Sequence, residues 1–153
     1  MPRKSILVAG SPRFPSPYGS KAPVLPRWQE FRVTEDQIDS LFDGNIGLLL
    51  GAPSSGLIDV DLDSDAAVAL APNFLPPTGM IHGRTCKPRS HWWYKVDSPK
   101  PTKQFKTPSG ASLAEVRGTG GQTVVPPSVH PSGETIAWDQ PGEPAEIPAD
   151  DLL

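Results

Sequence analysis

Between Leu57 and Asp63 the sequence alternates without a break, with Ile58, Val60 and Leu62 at one parity and Asp59, Asp61 and Asp63 at the other. Successive side chains of a strand point to opposite faces, so this stretch reads as a β-strand with one apolar face and one row of carboxylates. Successive acids in that row stand about 6–7 Å apart. They repel one another unless a cation or basic side chains lie between them. The apolar run Asn45–Leu50 reads as a neighbouring buried strand, and three unpaired acids beside it would be costly. Proline then limits what else the chain can build. There are 20 prolines and 14 glycines in 153 residues, which excludes a helical bundle or coiled coil and favours short elements joined by many turns. With 37% hydrophobic and 20% charged residues, the chain has material for one modest core.

The same scan excludes several classes. No apolar run approaches the roughly 18 residues of a membrane span. The apolar stretch of the N-terminal MPRKSILVAGSPRF is too short for a secretory signal. A soluble, cytoplasmic protein with no membrane partner is expected. A single cysteine, Cys86, leaves no intramolecular disulfide and no multi-cysteine zinc site, so no zinc is expected in this chain.

Local signals give a coarse order of elements. Residues 1–29 are rich in Pro, Ser and Gly and read as irregular. Thr34-Glu35-Asp36-Gln37 matches a capping box and predicts a short helix over 35–42. A turn at 51–56 joins the two strands already named. Ser64 then caps a short helix at 66–70 that Pro72 is expected to end. Strands are expected at Met80–Ile81 and His91–Val96 around a basic loop, Gly83–Ser90. An exposed basic loop follows at Ser98–Ser109, with further strands at Leu113–Val116, Gln122–Val125 and Thr135–Trp138. Short strands, few helices and no regular β-α alternation predict an α+β fold with a mixed or mainly antiparallel sheet. An irregular lead-in (1–20), one domain (21–140) and an acidic tail or linker start (141–153) complete the division.

Charge is sorted along the chain in a way that the net value of −3 conceals. Residues 51–77 carry four acids and no base, residues 78–107 carry seven bases against one acid, and residues 134–153 carry six acids and no base. A solvated face accounts for many such runs. A carboxylate metal site beside a polyanion-binding surface accounts for this one as well. The sequence pI of 5.5 argues against a generic nucleic-acid coat.

The chemistry concentrates in three segments. Asp59, Asp61 and Asp63 offer hard oxygen ligands that suit Mg²⁺ or Mn²⁺. The segment His82-Gly83-Arg84-Thr85-Cys86-Lys87-Pro88-Arg89-Ser90-His91 can present imidazole, guanidinium and ammonium groups to phosphates. Taken alone, His91 reads more readily as a satisfied structural histidine. Finally, Glu115 and Arg117 share one face of a strand, and Gly118-Thr119-Gly120-Gly121 follows them. That turn lets backbone approach a ligand closely. It lacks the Lys-Ser/Thr of a P-loop.

These three segments, in this order and ending in Pro126-Pro127-Ser128-Val129-His130, resemble the bifunctional DNA primase/polymerase N-terminal (prim-pol) domain of the archaeo-eukaryotic primase superfamily. Asn45-Ile46-Gly47 and the upstream Lys21, Pro23 and Trp28 fit the same pattern, so the resemblance runs from about residue 21 to 138. It implies a two-layer catalytic core with an RRM-like sheet flanked by short helices. It also implies a template-dependent nucleotidyltransferase acting in DNA replication. Two divalent ions, Mg²⁺ or Mn²⁺, would be held by Glu115 and two acids of the row. Asp59/Asp61 and Asp61/Asp63 both fit, and the spacing from Gly56 favours Asp61 and Asp63. His91 maps onto the family's Ser-x-His motif, with Arg89 at the usual serine position and Ser90 directly before the histidine. Arg84, Lys87, Arg117, Gln122, Ser128 and His130 are the implied phosphate or sugar contacts. Implied partners are deoxy- or ribonucleoside triphosphates and a single-stranded DNA template and primer. A helicase or helical primase domain in a longer polypeptide, in a bacterial, phage or mobile-element setting, also fits. A metal-dependent phosphodiesterase (nuclease) and a non-catalytic nucleotide- or single-stranded-DNA-binding module are the alternative readings.

Overall fold

The alternating segment is a strand, and the other elements are arranged around it. The structure is a computed structural model that describes residues 12–17, 19–23, 26–30, 32 and 44–152. In chain order its strands are β1 (Arg13–Ser16), β2 (Asn45–Leu49), β3 (Leu57–Leu62), β4 (Met80–Arg84), β5 (Lys87–Val96), β6 (Lys103–Lys106), β7 (Ser112–Arg117), β8 (Gln122–Val125), β9 (Ala137–Pro141) and β10 (Ala145–Ile147). One α-helix is present among the described residues, α1 (Asp65–Phe74), together with short 3-10 turns at Trp28–Glu30, Ala52–Ser54 and Ala149–Leu152. A three-stranded sheet runs β1-β2-β8. A seven-stranded sheet runs β6-β7-β3-β5-β4-β9, with β10 added to β5. Every strand pairing is antiparallel except that of β10 with β5. The fold is α+β with mostly antiparallel sheets, as the element pattern led us to expect. No helix of the described residues is long and apolar enough to cross a membrane.

Two apolar clusters fix the large sheet between its neighbours. On one face Ile58, Val60 and Leu62 pack with Trp92, Tyr94 and Val96 of β5, Ala71 of α1 and Ala149 beyond β10. On the other, Leu57, Met80 and Trp93 meet Ile46, Leu48, Leu50 and Val125 of the small sheet. Each of the larger of these side chains contributes about 1.5–3 kcal/mol by leaving water. The small sheet covers only the Leu57 end of β3. Farther along β3, Asp61 lies between His91 of β5 and Glu115 of β7, both of which line a cleft.

Local chemistry explains where the elements match or depart from expectation. β2 and β3 lie where periodicity placed them, and Ser64 caps α1 by accepting a hydrogen bond from the Ala67 N–H at 3.0 Å. Pro72 does not end that helix, which continues to Phe74 with Leu75 as its extended C-cap. Near the last turn it removes one backbone hydrogen bond without breaking the helix. The expected lead-in contains β1, whose Phe14 is fully buried. Its ring lies where any side chain at Gly47 would stand, 2.1 Å from a Cβ built there. β1 is an edge strand, and an edge tolerates Pro15.

The Gly83–Ser90 loop is mostly strand, because β4 and β5 turn tightly and pair Arg84 with Lys87. A register shift at Gly83 breaks the alternation that would have revealed them. The basic stretch 98–109 is exposed as expected, yet it contributes the edge strand β6. The strand expected at Thr135–Trp138 runs instead from Ala137 to Pro141. Within the acidic tail, β10 adds to β5 and Ala149 is buried. Its apolar residues are too sparse to announce a strand. The helix expected over 35–42 lies outside the described residues.

Candidate active site

Sheet register assembles the site. Asp61 of β3 pairs with His91 of β5 on one side and with Glu115 of β7 on the other. Asp59, two residues earlier, pairs with Trp93 and Arg117. Residues paired across a sheet project from the same face, so two acids, an imidazole, a third acid and a guanidinium converge from three strands.

Their side chains form one closed network. His91 donates from Nδ1 to Asp59 Oδ2 at 2.8 Å, and its Nε2 lies 3.5 Å from Asp61 Oδ1. Arg117 donates from Nη2 to Asp61 Oδ2 at 2.6 Å and from Nε to Glu115 Oε1 at 3.2 Å. Its Nη1 donates to Thr123 Oγ1 at 3.2 Å, and that hydroxyl donates onward to Asp59 Oδ2 at 2.7 Å. Gln104 of β6 donates to the second oxygen of Glu115 at 3.3 Å. Asp59 is fully buried, and its Oδ1 has no hydrogen-bond partner.

The electrostatics follow from that geometry. Burial raises the Asp59 pKa, but the facing charge and hydrogen bond of His91, aided by Arg117, bring it down to about 2. Burial likewise opposes charge on His91, and Asp59 and Asp61 together overcome it and raise its pKa. Lying between two carboxylates favours the charged form of His91, in which neither ring nitrogen has a lone pair to act as a base. Against its ring lies His82, with centroids 4.2 Å apart and planes within 4°. His82 Nδ1 accepts from Trp93 Nε1 at 2.8 Å. Burial, reinforced by the His91 charge, puts the His82 pKa well below the usual histidine value. The two stacked rings are thus pushed in opposite directions, His82 toward its neutral form and His91 toward its charged one.

Above this floor is a cleft of about 280 Å³. Of the residues singled out from sequence, Arg84, Ser90, His91, Glu115, Arg117, Gln122 and His130 border it. Others lie elsewhere. The Ser128 hydroxyl accepts from the Ile46 N–H and ties β2 to the segment after β8. The Arg89 guanidinium lies over the Trp92 ring, 5.3 Å from its centroid. Lys87 sits at the β4–β5 turn, outside the cleft lining. Asp63 is exposed just past β3, where the Ser112 hydroxyl donates to it. Asp59 is beneath the floor and touches the cleft only through its partners.

Sequence reasoning singled out no role for Thr123, and His82, Lys21 and Trp28 entered it only within longer segments; all four line the cleft. Reading β4–β5 as a tight hairpin would have set His82 opposite His91. Alternation along β8 hinted at Thr123. Lys21 was part of a pattern only. Burial of its side chain lowers the ammonium pKa, and Asp61 opposes that shift. Arg84 is held at the rim by Glu134, 3.1 Å away. Glu134 also accepts from the Cys86 thiol and N–H and the Ser132 hydroxyl, which bring its pKa to about 2.

Three carboxylates on adjacent strands, one with a buried oxygen lacking any partner, are a donor set suited to a hard divalent cation. With Arg117 standing between Asp61 and Glu115, however, no three His, Cys, Asp or Glu side chains among the described residues are placed to share one ion. The chemistry of the donors fits a hard divalent ion, and Arg117 stands between two of them.

Over residues 4–150 the chain matches the family described as bifunctional DNA primase/polymerase, N-terminal, and it belongs to that family. No curated protein matches it. Membership implies a primase/polymerase-type enzyme whose substrates are nucleotides and DNA.

Proposed function

We propose, from that membership and from the register that converges on the cleft, that this chain adds nucleotides to a DNA 3′-hydroxyl under the direction of a single-stranded template. The observation that carries the reading is the placement of Asp61, Glu115, His91 and Arg117 on one face, beneath a cleft edged by Lys21 and Arg84. Together with the flanking helix and small sheet, that face serves as the two-layer primase core.

The cationic groups bind and orient the triphosphate. His91 offers an N–H held in direction by its Nδ1 bond to Asp59, and Arg84 is aimed by Glu134. Fixed donors of this kind favour the charge that builds on a leaving pyrophosphate, because they need no reorganisation during the reaction. His82 keeps the His91 ring in its plane. Asp61 and Glu115, with Asp59 or Asp63, would hold two Mg²⁺ or Mn²⁺ ions, whose chemistry would be to lower the pKa of the attacking hydroxyl and to offset charge on the leaving oxygen. The template runs along β6, where Lys103 and Lys106 are exposed and Gln104 reaches Glu115. Lys100 is engaged with Asp150 at 3.1 Å.

Primer extension and de novo synthesis on single-stranded DNA with Mg²⁺ or Mn²⁺ test the reading. Wild type is expected to form product and Asp61→Ala none. Binding of nucleotide and DNA by both without product would make the chain a binding module. Degradation of the input DNA would make it a phosphodiesterase.

A further inference from the structure

Arg117 is bound on three sides within the site. Its three guanidinium nitrogens reach Asp61, Glu115 and Thr123 at 2.6, 3.2 and 3.2 Å. These are the two carboxylates that face each other across β3 and β7, so the guanidinium stands where a cation shared by them would stand. The floor sets three carboxylates, Asp59, Asp61 and Glu115, against the His91 imidazole and the Arg117 guanidinium. A divalent ion added between Asp61 and Glu115 finds one oxygen of each already occupied by Arg117. It also meets a guanidinium charge at close range in a poorly solvated place, where like charges repel strongly. Arg117 borders the cleft as well, so a polyphosphate entering there meets the same guanidinium and offers it a bidentate partner.

We infer that Arg117 holds the place of a divalent cation between Asp61 and Glu115, and that a polyphosphate drawing its guanidinium into the cleft opens that place. This rests on the polymerase reading above and adds a consequence that reading does not contain. Nucleotide and metal bind cooperatively, and the carboxylates take metal poorly on their own. Arg117 is here a positioning residue whose charge is transferred from the acids to the substrate.

Mn²⁺ is the probe, with bound ion followed by the electron paramagnetic resonance of the free ion on the full chain without nucleotide. Wild type is expected to bind weakly. Arg117→Gln is expected to bind at least about tenfold more tightly, a typical size for coupling between sites, and to lose that binding when Asp61→Asn is added. Arg117→Lys keeps a charge but cannot bridge both acids, so it is expected to fall between the two. It serves as the readout should Arg117→Gln fail to fold by circular dichroism. Equal Mn²⁺ affinity in wild type and both Arg117 variants, abolished by Asp61→Asn, would overturn the inference and leave the metal-dependent reading standing. If no form binds Mn²⁺, alone or with an α,β-methylene deoxynucleoside triphosphate, the inference and the metal-dependent reading fall together.

Discussion

The two faces of β3 are equally buried and chemically opposite. Ile58, Val60 and Leu62 on one side are 3–4% exposed and pack into an apolar cluster. Asp59 and Asp61 on the other are 0% and 7% exposed and meet His91, Arg117 and Thr123. Burial stabilises the first face directly through the hydrophobic effect. The second is stable only because each charge has a partner, since an isolated buried carboxylate is costly. A chain selected only to fold has little reason to keep such a face, because well-packed apolar residues usually do as well or better. The contrast is what the proposed function expects of an acidic face retained for chemistry.

Removing one partner is the most direct way to break this contrast. Asp59→Ala removes the nearer of the two carboxylates that face buried His91 and opens a gap under Thr123. A loss of about 3–5 kcal/mol is expected in urea or thermal denaturation. A melting curve unchanged from wild type would show that the network does not hold the face together. The matching change on the other face, Val60→Ala, removes two methyl groups from a packed cluster and is expected to cost about 2 kcal/mol. Nucleotide affinity should survive it. If Val60→Ala abolished binding, the two faces would not be separable.

The faces also differ in their response to pH. The Asp59 pKa is depressed from 3.8 to about 2, so its contribution is present above about pH 4 and lost as pH falls through 2. His91 shifts the other way, above its ordinary 6.5. Its contribution is complete below pH 6.5 and is lost as pH rises through its folded value. In metal-free buffer wild type should therefore be most stable between about pH 4 and 6.5 on this account. Val60→Ala should shift the whole profile down without changing its shape. Asp59→Asn should flatten both flanks, and retention of the alkaline fall in that variant would separate it from the Asp59–His91 pair.

This division of labour was only partly legible in the sequence. Strict alternation located β3 and its two faces, and the two-residue spacing of Glu115 and Arg117 put them on one side of β7. Which residues face each other depends on register, and register depends on turns and bulges that local patterns do not specify. The shift at Gly83 concealed the β4–β5 hairpin, and with it the stacking of His82 on His91. Pro15 disguised β1 because an edge strand needs fewer backbone donors than its composition suggests. Alternation grouped Asp63 with the other two acids, but the strand ends at Leu62, so Asp63 leaves the buried row and pairs with Ser112. The bridge from Arg117 to both Asp61 and Glu115 joins three positions on two strands, and nothing in their spacing announces it.

The exposed edge strand sharpens the comparison with the smallest expected effect on folding. Lys103 and Lys106 are basic residues on β6 with open water beside them, and Lys103 lies over the Phe105 ring at 5.0 Å. Charges so placed need no partner, so Lys103→Gln together with Lys106→Gln should change stability by no more than about 0.5 kcal/mol. If they follow the template backbone, single-stranded DNA affinity should fall several-fold. The slope of log affinity against log salt should become shallower by about 0.7 for each phosphate that is no longer neutralised. Unchanged affinity and slope would move the template off β6. A large loss of stability would mean that the edge carries structural charge like the buried face, and the distinction between charges kept for folding and charges kept for a ligand would fail at the place where burial makes it clearest.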